Sequence, residues 1–339
     1  MPAALLDLTE LRQTSFSLLN DLAEGRSVAE VYHPEARVFC VHPFNEVQGL
    51  EAIAAIWTQL RSAFPDLERR SLLHLAGINL PDPRVSTPRA GQLVACMGTF
   101  QGRFLSDFCD IPATGQTAAL RFCEAHEMID GKIATSYLMF DLADLMQQAG
   151  VWPFVTSLGA ESQWRGPAPA DGVRLTECNS GTAAMDVVLA MHAALGRFDG
   201  RSLASMPHAE YWHPDFMWYG AAGIGTTRGL EEFRAHHQIP FLTGFPDRVG
   251  AGHYIRISDG DYAVTGGWPS VSGTHLGPWL GMPATGKRID MRIMDFYRLA
   301  DGRIAENWVP MDVIDIARQM GVDVFERVRH MTGRPRLAL

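Results

Sequence analysis

Short motifs in the first half of this 339-residue chain return in the same order in the second. Tyr32-His33-Pro34 recurs as Trp212-His213-Pro214, Gly49-Leu50-Glu51 as Gly229-Leu230-Glu231, and Phe64-Pro65-Asp66 as Phe245-Pro246-Asp247, at spacings of 180 or 181 residues. Further on, Pro112-Ala113-Thr114-Gly115 recurs as Pro283-Ala284-Thr285-Gly286, Asp130-Gly131-Lys132-Ile133-Ala134 as Asp301-Gly302-Arg303-Ile304-Ala305, and Gln148-Ala149-Gly150 as Gln319-Met320-Gly321, now at a spacing of 171. Ordered matches with one net deletion make the chain a tandem duplication, which predicts two similar cores rather than a single large one.

The expected boundaries are 1–150 for the first unit, a linker at 151–178 and 179–330 for the second, because 151–178 mixes proline, glycine and polar residues without a sustained period. Within the units, Ile53, Ile56, Trp57, Leu60 and Phe64 follow helical spacing over 49–64. Residues 179–196 also read as a helix, with Thr182, Met185, Val188, Leu189 and Leu195 near one stripe. Residues 288–299 alternate instead, placing Ile289, Met291, Ile293, Asp295, Tyr297 and Leu299 on one face of a strand. Asp301-Gly302 then predicts a hairpin turn into a strand at 303–309. Helices followed by long antiparallel strands give an α+β unit, one sheet curled around helices.

Composition narrows the function. With 47% hydrophobic and 20% charged residues the chain has the balance of a globular protein. Its formal charge of -9 offers no basic footprint for nucleic acid or anionic lipid. No apolar stretch is long enough to span a bilayer, and MPAALLDLTELRQ has none of the features of a secretory leader, so the expected location is the cytoplasm. Cys40, Cys96, Cys109, Cys123 and Cys178 are scattered and form no CxxC pair, which reads as small core residues rather than a disulfide framework or zinc site.

The run Gly273-Thr274-His275-Leu276-Gly277, then Gly281-Met282-Pro283-Ala284-Thr285-Gly286-Lys287, then the stretch from Phe296 to Trp308, resembles the SnoaL-like polyketide cyclases of the nuclear transport factor 2-like superfamily. The resemblance spans roughly 30–145 and 195–325. It implies two tandem cone-shaped units, each a strongly curved, mostly antiparallel sheet wrapped around helices and an apolar cavity. It also implies that the two units pack as a pseudo-dimer within one chain; whether chains pair further as a homodimer stays open. Cofactor-independent chemistry on a small apolar or aromatic molecule is the activity the resemblance carries, with no cofactor, nucleic acid or membrane involved. Antibiotic cyclases of this family use an aspartate after the Asp-Gly turn and a histidine on the preceding strand. Those positions hold Val309 and Asp295 here, and Leu138 and Glu124 in the first half, so that dyad is not present as such.

Asp295 interrupts an apolar strand face, and Glu124 occupies the same place in the first half. A carboxylate aimed into an apolar cavity has a raised pKa and suits general acid or base work; the bland reading is that this face points outward, or that the carboxylate pairs with Arg292 or Arg256. By the resemblance His275 borders the cavity, where the first half has Phe104, and it is the expected partner of Asp295; the bland reading is a histidine satisfied by a nearby carbonyl. His236 and His237 stand where the first-half helix has Ile56 and Trp57, so at least one should face inward and make the second cavity the more polar one, while Pro240 is expected to end that helix. A metal held by His236 or His237 with His275 and Asp295 is disfavoured because no pair has ligand spacing. Trp218, Tyr219 and Trp279, with Tyr297 and Trp308, are the expected substrate-binding aromatics. Asp312 and Asp141 read as helix N-caps, each followed three residues on by Asp315 or Asp144, and His33-Pro34 and His213-Pro214 as turn elements.

The leading expectation is an isomerase- or lyase-type enzyme working by acid/base chemistry (isomerisation, hydration or dehydration, or aldol-type cyclisation). It would act on a largely apolar carbonyl or hydroxy compound in the second half, with the first half chiefly structural. The alternative is a non-catalytic ligand-binding or partner-binding protein of the same fold.

Overall fold

A computed structural model of the protein describes residues 7–86, 91–176 and 181–334, and every count below refers to these. The first half runs α1 (Leu8–Glu24), α2 (Val28–Val31), β1 (Tyr32–Cys40), β2 (Glu46–Gln48), α3 (Leu50–Ala63), β3 (Glu68–Ile78), β4 (Gln92–Arg103), β5 (Thr117–Ile129), β6 (Lys132–Phe140) and α4 (Leu142–Gln148). The second half runs α5 (Ala183–Leu195), α6 (His208–Tyr211), β7 (Trp212–Gly220), β8 (Thr226–Arg228), α7 (Gly229–Phe233), a π-helical turn (Arg234–Gln238), α8 (Ile239–Gly244), β9 (Val249–Gly250), β10 (Ile255–Asp259), β11 (Tyr262–Thr274), β12 (Arg288–Ala300), β13 (Arg303–Val309), α9 (Val313–Met320) and α10 (Val324–Met331).

Local sequence accounts for most of these elements. The helical stripe Ile53, Ile56, Trp57 and Leu60 of α3 is buried. On β12, Ile289, Met291 and Ile293 are buried while Arg288 and Asp290 are exposed. Asp130-Gly131 and Asp301-Gly302 both adopt positive φ at both positions, the geometry of a tight hairpin whose twist matches its strands. The strands order as β2-β1-β6-β5-β4-β3 and β10-β11-β12-β13-β7-β8, with β9 also on β11. Only β1–β6 and β13–β7 are parallel. Register shifts interrupt β3–β4 at Ser71/Leu73 and β11–β12 at Gly267/Val271, bending each sheet. The fold is α+β, two tandem cone-shaped units packed as a pseudo-dimer.

The units meet through their sheets and through a pseudo-symmetric pair of helix caps. Asp141 caps α4 by accepting from the Asp144 amide at 3.0 Å, and its other oxygen accepts from the Ala222 amide of the second unit at 3.1 Å. Asp312 caps α9 through the Asp315 amide at 3.0 Å and accepts from the His42 amide of the first unit at 2.9 Å. Arg121 and Arg292 lie beside the two capping aspartates. Asp312→Ala should therefore cost about 2 kcal/mol in urea denaturation, more than the ~1 kcal/mol of an ordinary cap. A loss of only a few tenths would mean that the caps do not tie the units together.

Three features depart from simple expectation. Residues 151–176 are fastened to both units: the His74 amide donates to Gly172 O at 2.8 Å and Trp308 Nε1 to Arg165 O at 2.7 Å. The helix does not end at Pro240. The repeat spacing grows from 180 to 181 between Leu50/Leu230 and Phe64/Phe245, and the extra residue is absorbed by the π-helical turn Arg234–Gln238, after which Pro240 sits in the first turn of α8, where its missing N–H is harmless. The fall from 181 to 171 lies in the β3–β4 connection, which spans 79–91 in the first unit against 260–261 in the second. Part of that longer loop crosses to the second unit: the Leu80 amide donates to Arg256 O at 2.9 Å, and Asp82 accepts from the His253 amide at 2.8 Å. Cys40, Cys96, Cys109 and Cys123 are buried and free; Cys178 lies outside the described residues. No helix among the described residues is long and apolar enough to cross a membrane.

Candidate functional site

The second unit encloses a cavity of about 440 Å³ between α5, the α7–α8 segment and the inner face of its sheet. Its walls are largely apolar and aromatic: Trp212, Trp218, Phe233, Phe241, Val271, Ile293, Val309 and Met311. Against them stand Asp295, Tyr297, Asn307, His192, His253 and Ser270. Alternation puts Ile293, Asp295 and Tyr297 on one face of β12, and β13 brings Asn307 opposite Tyr297.

Asp295 is the acid of this cavity. Burial pushes its carboxyl up to about 7, against the pull of hydrogen bonds from Tyr297 and Asn307. The Tyr297 hydroxyl lies 3.0 Å from His192 Nε2 on α5. Burial pulls His192 down to about 4, so its ring is neutral at pH 7. The His253 ring lies 5.3 Å from that of His192, hydrogen-bonds Ser270 Oγ at 3.1 Å, and is held at about 3, chiefly by burial. Trp212 Nε1, Gln238 Oε1 and His253 Nδ1, all on lining residues, are buried without a protein hydrogen-bond partner among the described residues.

One substitution explains why the equivalent first-half acid is different. Arg69 pairs with Phe100 across β3–β4, and Gly250 pairs with Val271 across β9–β11, so Arg69 and Gly250 are counterparts by register and by the 181-residue spacing. Arg69 ion-pairs with Glu124, its guanidinium 4.1 Å above the Phe122 ring, and His126 Nε2 approaches Glu124 at 3.5 Å. The Arg69 guanidinium foremost, with His126 beside the carboxyl, outweighs burial and holds Glu124 at about 2. Gly250 has no side chain to do this, and neither arginine suspected from sequence reaches Asp295: Arg292 pairs with Asp312, Arg256 with Asp82. The first-half space is also filled, because Phe100, Phe122 and Phe140 stand where the second half has the smaller Val271, Ile293 and Met311.

The family described as SnoaL-like polyketide cyclase matches residues 85–149 and 190–320, more than half of the chain and parts of both units. The chain belongs to the SnoaL-like polyketide cyclase family. Among curated proteins, the aklanonic acid methyl ester cyclase DnrD of Streptomyces peucetius is 26% identical over 141 residues, which is 40% of this chain and 90% of that protein. Among solved structures, IdmH of Streptomyces antibioticus matches at 24% identity and a TM-score of 0.33, covering 41% of this chain and 99% of its own. An NTF2-like protein of Burkholderia thailandensis matches at 21% identity and a TM-score of 0.33, covering 40% and 96%.

Asp295 and Val309 both line the cavity. Several residues singled out from sequence do not reach it. His275 is fully buried, bonded to Thr285 Oγ1 at 3.1 Å and stacked on Phe245 at 5.4 Å. It occupies the place of Phe104, which stacks on Phe64 at 5.0 Å, so it is a core residue and not the partner of Asp295. His236, with Trp279, lines a separate recess of about 220 Å³. Tyr219 and Trp308 stack on each other at 5.3 Å, and strand alternation turns them to the sheet face opposite Trp218 and Asn307. His237 does line the cavity, stacked on Trp218 at 4.0 Å and held at about 3 by burial, and Trp218 and Tyr297 line it as expected. Among the described residues no three His, Cys, Asp or Glu side chains gather as metal ligands.

Sequence reasoning missed His192, His253 and Asn307. His192 carried a usable signal, falling at helical spacing from Met185 and Val188, both buried on α5. His253 carried none, because it sits in the β9–β10 connection, whose place depends on contacts with the crossing loop and with β11.

Proposed function

We propose that the second-unit cavity is the active site of an isomerase- or lyase-type enzyme that moves a proton on a small, ring-sized carbonyl or hydroxy compound, with Asp295 as the acid/base group. The observation that carries this is a carboxylate with no cationic partner among the described residues, set among aromatic walls, with its pKa raised to about 7. Such a group can remove a proton from the carbon beside a carbonyl and return it elsewhere at pH 7. The Tyr297 hydroxyl stands between Asp295 and His192 and has one proton to donate. When Asp295 takes up a proton, that donation turns to His192, whose neutral ring accepts it. The first unit, whose acid is sealed by Arg69, serves as the structural partner.

Exchange of the acidic C–H of 2-tetralone in D2O, followed by NMR, tests the proton step. The expected rate rises with pH through an inflection near 7, where Asp295 becomes a base. Asp295→Asn should lower it by roughly 10²- to 10⁴-fold. An unchanged rate in that variant would exclude Asp295. Ketone binding without exchange in the wild type would favour a carrier of small ligands.

A further inference from the structure

The cavity mouth is positive although the chain as a whole carries -9. Arg248, half-buried, lines the cavity at the start of β9, and among the described residues it pairs with no carboxylate; its guanidinium lies 5.5 Å from the Phe198 ring, also on the wall. Arg84 comes from the other unit. It is carried on the part of the β3–β4 loop that the second unit lacks, and it lines the same cavity. Its Nε and Nη2 engage Asp82 at 3.0 and 2.8 Å, and its Nη1 lies over Gly250, so close that a Cβ there would stand 2.5 Å from it. Asp82 is also shared with Arg256 at 2.6 Å, so it does not belong to Arg84 alone. Asp295 is the only acidic side chain among the lining residues.

A half-buried guanidinium without a counter-ion is costly unless something supplies the charge. The open fork of Arg248 and the remaining Nη1 of Arg84, both on the wall of an apolar cavity, suit the planar edge of a carboxylate or the edge of a phosphate. We infer that the substrate is amphipathic, its ring-sized apolar body beside Asp295 and an anionic group held at the mouth by Arg248 and by Arg84 of the first unit. This rests on the reading of the cavity as a substrate site, and it gives the first unit a direct part in recognition. The β3–β4 loop would then be retained in the upstream copy alone because only from there does it reach the downstream mouth.

Calorimetric titration of the intact protein with 2-naphthoate, 2-naphthyl phosphate and neutral methyl 2-naphthoate separates the possibilities. Naphthoate or the naphthyl phosphate should bind roughly tenfold or more tightly than the ester, and added salt should weaken the anion and not the ester. The tighter anion identifies the form the clamp takes. Arg248→Met and Arg84→Met should each remove most of that difference and leave ester binding unchanged, which also shows that the variants fold. Equal binding of acid, phosphate and ester overturns the clamp while leaving the cavity a ligand site. Failure of all three to bind overturns both.

Discussion

Asparagine at position 295 should make the protein more stable at pH 8 and nearly inert. In the unfolded chain this carboxyl ionises near 3.8, whereas in the folded cavity it holds its proton up to about 7. Between these values the native state binds the extra proton, so the stability contributed by this group falls as pH rises from about 4 to 7 and stays low above it. Asp295→Asn removes that dependence and should add about 2–4 kcal/mol at pH 8 and little at pH 4. Urea denaturation at the two pH values reads this without knowledge of the substrate. Together with the loss of proton exchange, a gain in stability is the signature of a charge kept for chemistry rather than for folding. A variant less stable than wild type at pH 8 would mean that the carboxylate has a partner after all.

The opposite result is expected at its counterpart. Glu124→Gln removes the counter-ion of a guanidinium that is buried in the first unit, and should cost about 3–5 kcal/mol. Here the folded-state value is depressed to about 2, so the stabilising contribution is complete above about 4.5 and is lost only as pH falls toward 2. Exchange activity per folded molecule should persist, since the second cavity is untouched. If Glu124→Gln instead abolished exchange in well-folded protein, the division of labour between the units would be wrong.

Much of the architecture was readable in the chain because it depends on neighbours in sequence. The α3 stripe, the alternation on β12, the two Asp-Gly hairpins and the Asp141 and Asp312 caps all appear where spacing and residue type placed them. Even the π-helical turn was foreshadowed by one extra residue in the repeat spacing, although Pro240 suggested a stop. The site was less legible. Asp295 and Trp218 reach the cavity, but His275 was misjudged, because in a duplicated fold a histidine where the other copy has phenylalanine can be packed just as phenylalanine is.

What the sequence alone determined is that the chain is one unit written twice, with a carboxylate at the same strand position of each copy. Periodicity and turn chemistry act over a few residues, so they survive without coordinates. Which carboxylate is free was decided only in three dimensions. That choice depends on Arg69 closing over Glu124 from a neighbouring strand, on Gly250 leaving the matching place open, and on a loop of the first unit crossing to the mouth of the second cavity. Each is a contact between residues far apart in the chain, where electrostatic effect depends on distance and burial rather than on order.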